Sequence, residues 1–189
     1  LSKTELKQEE SIPLAKIDSN YPLTLPQYAI WLASFQSEKS IAYNMFRSYK
    51  VEGDFNLDIL EQAFKITLNK YEALRTNFVE FNGSPRQTIK SFQEIIFKAD
   101  HFVIESSEIK KELEAYANYE FDLSNEVLLK LGLFETTTGD KILLFVTHHI
   151  IMDGWSLEVL IKEVVDSYRA QASGTKLQVR NLSIQFKDY

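Results

Sequence analysis

The sequence predicts an α+β domain with mixed α/β layers, in which a mixed sheet is flanked by helices. Segments with apolar residues at helical spacing alternate with short β-prone segments, in the order α-β-α-ββ-β-α-ββ-α. This order combines hairpins with crossover connections, as expected for layers of sheet and helix. With 189 residues, of which 44% are hydrophobic, the chain is long enough for one well-formed core and too short for two.

The first part of the chain carries two predicted helices separated by a strand. The first helix, at about residues 25–36, follows a capping box formed by Thr24 and Gln27. An aromatic-rich strand covers residues 43–51, and the second helix covers about residues 57–71. The apolar residues at helical spacing are Tyr28, Trp31, Leu32 and Phe35 in the first helix, and Leu57, Leu60, Phe64, Leu68 and Tyr71 in the second.

Hairpins and one helix are predicted next. Residues 76–81 and 86–89 flank Asn82-Gly83-Ser84-Pro85, which favours a hairpin with a four-residue turn. The elements that follow are predicted as a weaker strand at 101–104, a helix at 107–119, a strand at 127–134 and a turn at 137–140. A continuous apolar run at 142–147 then predicts a central strand covered on both faces. From Ser156 a helix is predicted that Gly174 ends.

The junction between that central strand and the last helix is the most informative stretch. It holds two of the chain's three histidines, His148 and His149. Because adjacent residues of an extended strand point to opposite faces, the two should not reach one substrate or one metal together. One is expected to be catalytic and the other structural, and the spacing does not say which. Asp153, three residues before Ser156, fits a helix N-cap, and Gly154 fits either a turn or an amide that faces an oxyanion.

Composition argues against several classes of protein. The net charge is −6, and no basic cluster interleaved with aromatic residues occurs, so nucleic acid is not an expected partner. The absence of cysteine excludes a disulfide framework and thiol catalysis. The longest apolar runs are strand-sized, so we expect no membrane insertion and a cytoplasmic protein. The histidine pair has no third ligand at suggestive spacing, so no metal site is expected.

Residues 147–156, Thr-His-His-Ile-Ile-Met-Asp-Gly-Trp-Ser, fit a His-His-x-x-x-Asp-Gly core with its Trp-Ser continuation. In this the chain resembles the condensation domains of nonribosomal peptide synthetases, within the chloramphenicol-acetyltransferase-like superfamily. Residues 24–31 resemble the family's Ser-x-Ala-Gln-x-Arg-Leu-Trp, and residues 70–78 resemble its Arg-His-Glu-x-Leu-Arg-Thr-x-Phe. Residues 186–189 resemble the opening of a further motif. Pro26, Ala29, Lys70 and Tyr71 depart from these patterns.

The resemblance implies a fold of two similar lobes, with the reaction at the bottom of a tunnel between them. Residues 21–189 are then expected to be the amino-terminal lobe, and residues 1–20 a linker that enters it. The resemblance also implies that the carboxy-terminal lobe lies beyond this sequence. The polar stretch after Leu1 and the unterminated last motif indicate an excised piece.

The resemblance also implies an amide-bond-forming acyltransferase activity. The α-amine of an acceptor aminoacyl thioester would attack the carbonyl of a donor acyl or peptidyl thioester. No cofactor is expected to bind this chain directly, because both substrates are carried on phosphopantetheine by donor and acceptor carrier proteins. An adjacent adenylation domain is a further expected partner.

The site residues implied by the family motif are the four residues His148, His149, Asp153 and Gly154. The resemblance gives the catalytic role to His149 and support of the loop to His148. It makes Asp153 the partner of Arg75 in a buried ion pair, whose disruption would cost about 3 to 5 kcal/mol. Arg75, Trp155 and Ser156 are expected to support the site.

Three other functions remain open. An epimerisation domain shares the His-His-x-x-x-Asp core, although the Asp-Gly-Trp-Ser order resembles condensing members more. An ester-forming acyltransferase of the same superfamily is chemically close and would differ in its dependence on carrier proteins. A non-catalytic binding or scaffold lobe is the third alternative, because half a tunnel does not enclose two substrates.

Overall fold

The computed structural model describes residues 12–36, 40–175 and 182–189. Its strands are β1 (Tyr21–Pro22), β2 (Asn44–Val51), β3 (Thr76–Phe81), β4 (Ser84–Ile89), β5 (Asp100–Ile104), β6 (Leu129–Thr136) and β7 (Lys141–His148). Its α-helices are α1 (Leu25–Gln36), α2 (Leu57–Lys70), α3 (Ile109–Ala117) and α4 (Gly154–Ala172). Short 3₁₀ helices lie at Ser40–Tyr43, Glu72–Arg75, Phe92–Glu94 and Phe186–Asp188. The predicted α+β class and element order are confirmed. The side chain of Phe35, expected in the first apolar stripe, lies outside the described atoms.

The main sheet has four strands in the order β2-β7-β6-β5. Strands β2 and β6 flank β7 in antiparallel pairing, whereas β5 runs parallel to β6, so the sheet is mixed as predicted. A second, three-stranded sheet has the order β1-β4-β3. The edge strand β1 is only two residues long. It was not predicted from the sequence, because two residues are too few to show the alternating pattern of a strand.

The turn between β3 and β4 corrects one prediction. Four residues were expected, but Phe81 pairs with Ser84 and only Asn82 and Gly83 form the loop. Their φ angles are 52° and 73°, and positive values at both central residues are what a type I′ turn needs. Pro85 belongs to the strand, where it lies opposite Glu80. The Asn-Gly pair therefore determines the length of the turn, and the proline that follows does not extend it.

Helices cover both faces of the main sheet, so β7 is central and buried as predicted. Each residue from Leu143 to His148 is at most 6% exposed. On one face, Phe64 of α2 packs against Phe145 with ring centroids 5.3 Å apart. On the other face, Tyr116 of α3 packs edge-on against Phe134 at 5.3 Å. The middle of β7 is thus covered on both faces of the sheet. Within the described residues, no helix is long and apolar enough to cross a bilayer.

Gly132 in β6 gives a prediction about this packing. A Cβ at this position would lie 2.8 Å from Cε2 of Phe134 and 3.0 Å from Cζ of Tyr116. We expect Gly132→Ala to lower the free energy of unfolding by about 1 to 3 kcal/mol, because two packed rings must move. Urea denaturation measures this change. Gly154→Ala is the matched control, since its Cβ would meet no atom within 4 Å. Equal stability of the two variants would show that the rings move freely.

Candidate functional site

The predicted junction forms a corner in which β7 ends at His148, residues 149–153 turn, and α4 begins at Gly154. The two histidines point into different surroundings. His148 is fully buried, whereas His149 is exposed and lines a cavity. The expectation that the two side chains point in different directions is therefore confirmed. It follows from the extended backbone at the end of β7.

His148 is held inside the lobe. Its Nδ1 accepts a hydrogen bond from the backbone N–H of Ile150 at 3.3 Å, and its own backbone N–H donates to Leu128 at 3.1 Å. The rings of Tyr43 and Phe121 lie 6.1 and 6.2 Å from the imidazole, centroid to centroid. Burial, assisted by the neighbouring His149, lowers the pKa of His148 to about 4. The ring is therefore neutral at neutral pH and supports the corner from within.

His149 is held by its backbone and leaves its imidazole free. Its N–H donates to the carbonyl of Tyr43 at 2.8 Å, which ties the corner to the start of β2. Among the described residues, the imidazole has no hydrogen-bond partner, and its charge contributes slightly to lowering the pKa of the nearby Asp153. A neutral imidazole that is free and exposed can accept a proton from a bound reactant.

The cavity beside His149 has a volume of about 560 Å³. It lies among α1, the corner, the first turns of α4, the 3₁₀ turn after α2 and the last residues of the chain. Its lining is mainly apolar, and two of its aromatic side chains, Trp155 and Tyr189, are 78% and 82% exposed. A pocket of this size with few polar groups is typical of a site for an organic substrate.

Asp153 is the N-cap of α4. Its Oδ1 accepts the backbone N–H of Ser156 at 2.8 Å, and this bond is the main reason why the pKa of Asp153 is lowered. Of the two roles expected for Asp153, helix N-cap and partner of Arg75, the structure shows the N-cap. Removing such a cap costs about 0.5 to 2 kcal/mol.

The ion pair between Asp153 and Arg75 is a prediction that the structure contradicts. The guanidinium of Arg75 donates to backbone carbonyls: to Leu68 at 2.7 Å, to Asn69 at 3.5 Å and to Lys90. No salt bridge joins Arg75 to Asp153 within the described residues. Burial lowers the pKa of Arg75, and the charge of Glu72 opposes this effect. Arg75 therefore links the end of α2 to the end of β4 and does not contact the corner.

The start of α4 shows what Gly154 and its neighbours do. Gly154 has no positive φ angle, so the predicted turn role does not require a glycine here. The space that its Cβ would occupy is open, which permits close approach by another molecule. Ser156 closes the cap with its amide and lines the cavity, and Trp155 lies exposed at the rim. Trp155, expected to support the site, is therefore a surface residue at the edge of the cavity.

Three residues of the site were missed from the sequence. Gln27 is 5% exposed, and its Nε2 donates to the carbonyl of Ile150 at 3.4 Å, so the capping residue of α1 also braces the corner. Its capping box with Thr24 is present, with Oε1 accepting the Thr24 N–H at 3.0 Å. Tyr71 and Phe186 line the cavity from other elements. For Gln27, the motif at residues 24–31 could have indicated a place in the site. For Tyr71 and Phe186 no local signal exists, because they reach the cavity from distant segments.

The two ends of the described chain meet close to the site. The backbone N–H of Ala15 donates to Oδ1 of Asp188 at 2.9 Å, and Gln185 accepts the N–H of Glu72 at 3.0 Å. Lys187 pairs with Glu72 at 2.5 Å. Part of the predicted linker 1–20 is thus attached to the lobe, while residues 1–11 lie outside the described residues.

Comparison with known proteins assigns the class. The condensation domain model matches residues 17–189, and the chain belongs to this family of domains from nonribosomal peptide synthetases. The chain is 32% identical over 168 residues to the probable non-canonical nonribosomal peptide synthetase CymA of Salinispora arenicola (strain CNS-205), covering 89% of this chain and 2% of that protein. It is 33% identical over 173 residues to tyrocidine synthase 3 of Brevibacillus parabrevis, covering 89% of this chain and 3% of that protein. The chain thus spans a small part of these relatives.

Solved structures share the fold. The complex of the X-domain and OxyB from teicoplanin biosynthesis matches with a TM-score of 0.84 and 21% identity, over 96% of this chain and 39% of the matched chain. The starter condensation domain of the rhizomide synthetase RzmA matches with a TM-score of 0.75 and 21% identity, over 88% of this chain and 41% of that domain. At this identity the likeness concerns the fold, which is that of condensation domains as predicted.

Proposed function

We propose that this chain is the amino-terminal lobe of a peptide-bond-forming condensation domain, in which His149 acts on the attacking amine. One observation carries the proposal: a free imidazole lies at the edge of an apolar cavity, on a corner held by hydrogen bonds from three directions. Family membership supplies the reaction class, and the position of His149 supplies the group that would move a proton.

The proposed reaction joins an acceptor α-amine to a donor thioester. The amine nitrogen attacks the thioester carbonyl, the C–N bond forms, and the C–S bond breaks to release the donor phosphopantetheine thiol. An α-amine has a pKa of about 7.7 to 8.0, and an imidazole has one of about 6.5. The imidazole of His149 can take the proton that the amine loses on attack and return it to the leaving sulfur.

Positioning is expected to contribute more than proton transfer. General-base catalysis supplies about 10²- to 10⁴-fold, whereas aligned reactants reach effective molarities of up to about 10⁸ M. The apolar cavity and the rigid corner are suited to such alignment. The amides of Gly154 and Trp155 begin α4 and have no acceptor among the described residues, so they are candidates for stabilising the oxyanion that forms on attack.

The lobe is proposed to need three kinds of partner. A second lobe would close the open side of the cavity, where Trp155 and Tyr189 are exposed. Donor and acceptor carrier proteins would deliver the substrates on phosphopantetheine, and an adenylation domain would load the acceptor carrier. These partners are inferred from family membership and from the incomplete enclosure of His149.

The proposal predicts that the 189-residue chain alone is inactive in condensation, because half of the enclosure is missing. The test mixes donor and acceptor carrier proteins, loaded with aminoacyl thioesters, with either this chain or the complete domain that contains it. Mass spectrometry then detects a dipeptide on the acceptor carrier. We expect product only with the complete domain, and an acceptor carrier without its amino acid is the control. Turnover by the chain alone would contradict the proposal of an incomplete site.

A binding role is the second candidate. It is favoured by the match to an X-domain whose structure was determined in complex with OxyB, a partner protein. In the same assay, a scaffold would produce no dipeptide even as a complete domain. An ester product from a hydroxyl acceptor, or inversion of the donor without bond formation, would indicate the ester-forming or epimerising alternative.

A further inference from the structure

Two buried polar atoms near the corner have no hydrogen-bond partner among the described residues. They are Oδ1 of Asn44 and Nε2 of His148. Buried polar atoms in proteins are nearly always hydrogen-bonded, so two such atoms close to a proposed catalytic histidine need an explanation. Neither residue's unpaired atom is used in the mechanism proposed above.

The two residues lie directly opposite each other in the sheet. Asn44 is the cross-strand neighbour of His148 in the β2–β7 ladder. The backbone hydrogen bond from His149 to Tyr43, one residue beyond, places Asn44 and His148 at a non-hydrogen-bonded position of the ladder. At such positions the Cα atoms are closest and the side chains stand side by side on one face. The two unpaired atoms therefore belong to adjacent side chains.

The hydrogen-bonding roles of the two atoms are complementary. Because Nδ1 of His148 accepts the N–H of Ile150, the ring hydrogen of the neutral imidazole is on Nε2, which is a donor. Nδ2 of Asn44 donates to the carbonyls of Ala117 at 2.9 Å and Tyr119 at 2.8 Å, so the amide orientation is set and Oδ1 is an acceptor. One unpaired donor and one unpaired acceptor thus lie on neighbouring side chains.

We propose that Asn44 is a positioning residue for the reaction at His149, and that its Oδ1 accepts the Nε2 hydrogen of His148, directly or across one water molecule. This inference rests on the proposed function. The link runs from the end of α3 through Asn44 and His148 to the amide of Ile150. This link keeps the hydrogen of His148 on Nε2, so that Nδ1 can accept the N–H of Ile150. It thereby stabilises the corner from which His149 projects.

The kinetic test is a double-mutant cycle in the complete condensation domain. Asn44→Ala is expected to lower kcat by about 10²-fold, the scale for a misplacement of about 1 Å, with KM changed less than about threefold. In the His148→Phe background, Asn44→Ala should change kcat by less than about threefold, since the group it acts through is gone. Ser48→Ala, on the same strand and exposed, is the matched control and should keep native kcat. If Asn44→Ala lowered kcat by the same factor in the native and the His148→Phe backgrounds, Asn44 would act only through Ala117 and Tyr119. That result would overturn the proposal.

A second measurement uses the native domain and does not depend on activity or on a folded variant. Nitrogen-15 NMR of labelled histidines should show a proton on Nε2 of His148 that exchanges slowly and correlates with the Asn44 side chain. A proton on Nδ1, or exchange as fast as at the exposed His101, would overturn the proposal. If the native domain forms no peptide bond, the proposed function fails, while the NMR result still decides the link between Asn44 and His148.

Discussion

Replacing His149 by alanine is expected to lower turnover of the complete condensation domain by about 10²- to 10⁴-fold, the range that general-base catalysis supplies. The physical reason is the loss of the imidazole that lines the cavity. The backbone hydrogen bond from residue 149 to Tyr43 does not involve the side chain and is kept in the variant. His149 is exposed, so the free energy of unfolding should change little. Single-turnover formation of the carrier-bound dipeptide measures the effect, and thermal unfolding shows that the variant is folded.

The third histidine provides the matched control. His101 lies on β5, exposed and 3.3 Å from Glu135, away from the cavity. His101→Ala should keep native turnover, which separates loss of a reacting group from a general effect of removing an imidazole. If His149→Ala retained turnover within a few-fold of native, proton transfer by His149 would not contribute, and alignment of the tethered substrates would remain as the source of catalysis.

The second large effect concerns stability at mildly acidic pH. Burial lowers the pKa of His148 from 6.5 to about 4 in the folded state. Between these two values the unfolded chain binds the proton and the folded chain does not, so stability falls as the pH decreases from about 6.5 to about 4. Each pKa unit corresponds to about 1.4 kcal/mol, so the total loss attributable to His148 is about 3 kcal/mol. Above pH 6.5 the His148 side chain is neutral in both the folded and the unfolded chain, so its contribution to stability no longer changes with pH.

Urea denaturation of the native protein and of His148→Asn between about pH 4.5 and 7 measures this effect. The amide oxygen of the variant can still accept from Ile150 but does not titrate. We expect the variant to be less stable at about pH 7 and to show a shallower loss of stability with acidification. Asp122, Asp153 and Asp188, whose pKa values lie below the ordinary 3.8, lose their contributions at lower pH. Parallel pH curves for the two proteins would show that His148 is not held neutral by burial.

Local patterns in the sequence predicted most of the elements. Apolar residues at helical spacing located α2 and α4, and the continuous apolar run located β7, because a buried element must carry its apolar residues at the period of its own geometry. The capping box at Thr24 and Gln27 located the start of α1. The loop between β3 and β4 was predicted too long, since the φ preference of Asn82 and Gly83 determines the turn more strongly than the proline two residues later.

The resemblance to a family was less reliable for contacts than for the fold. It implied an ion pair between Arg75 and Asp153, but here Arg75 reaches three backbone carbonyls and Asp153 caps α4. Their partners depend on how the 3₁₀ turn after α2 packs against β4, which the motif does not describe.

The sequence by itself determined the class, the order of elements and the opposite facing of His148 and His149, because these follow from periodicity and from the geometry of a single extended strand. Only the tertiary structure decided that Gln27 supports Ile150, that Asn44 lies beside His148, and that residues 185–188 contact both Ala15 and Glu72. Each of these contacts joins segments far apart in the chain. Their partners are set by the packing of helices and sheets, which no local pattern contains.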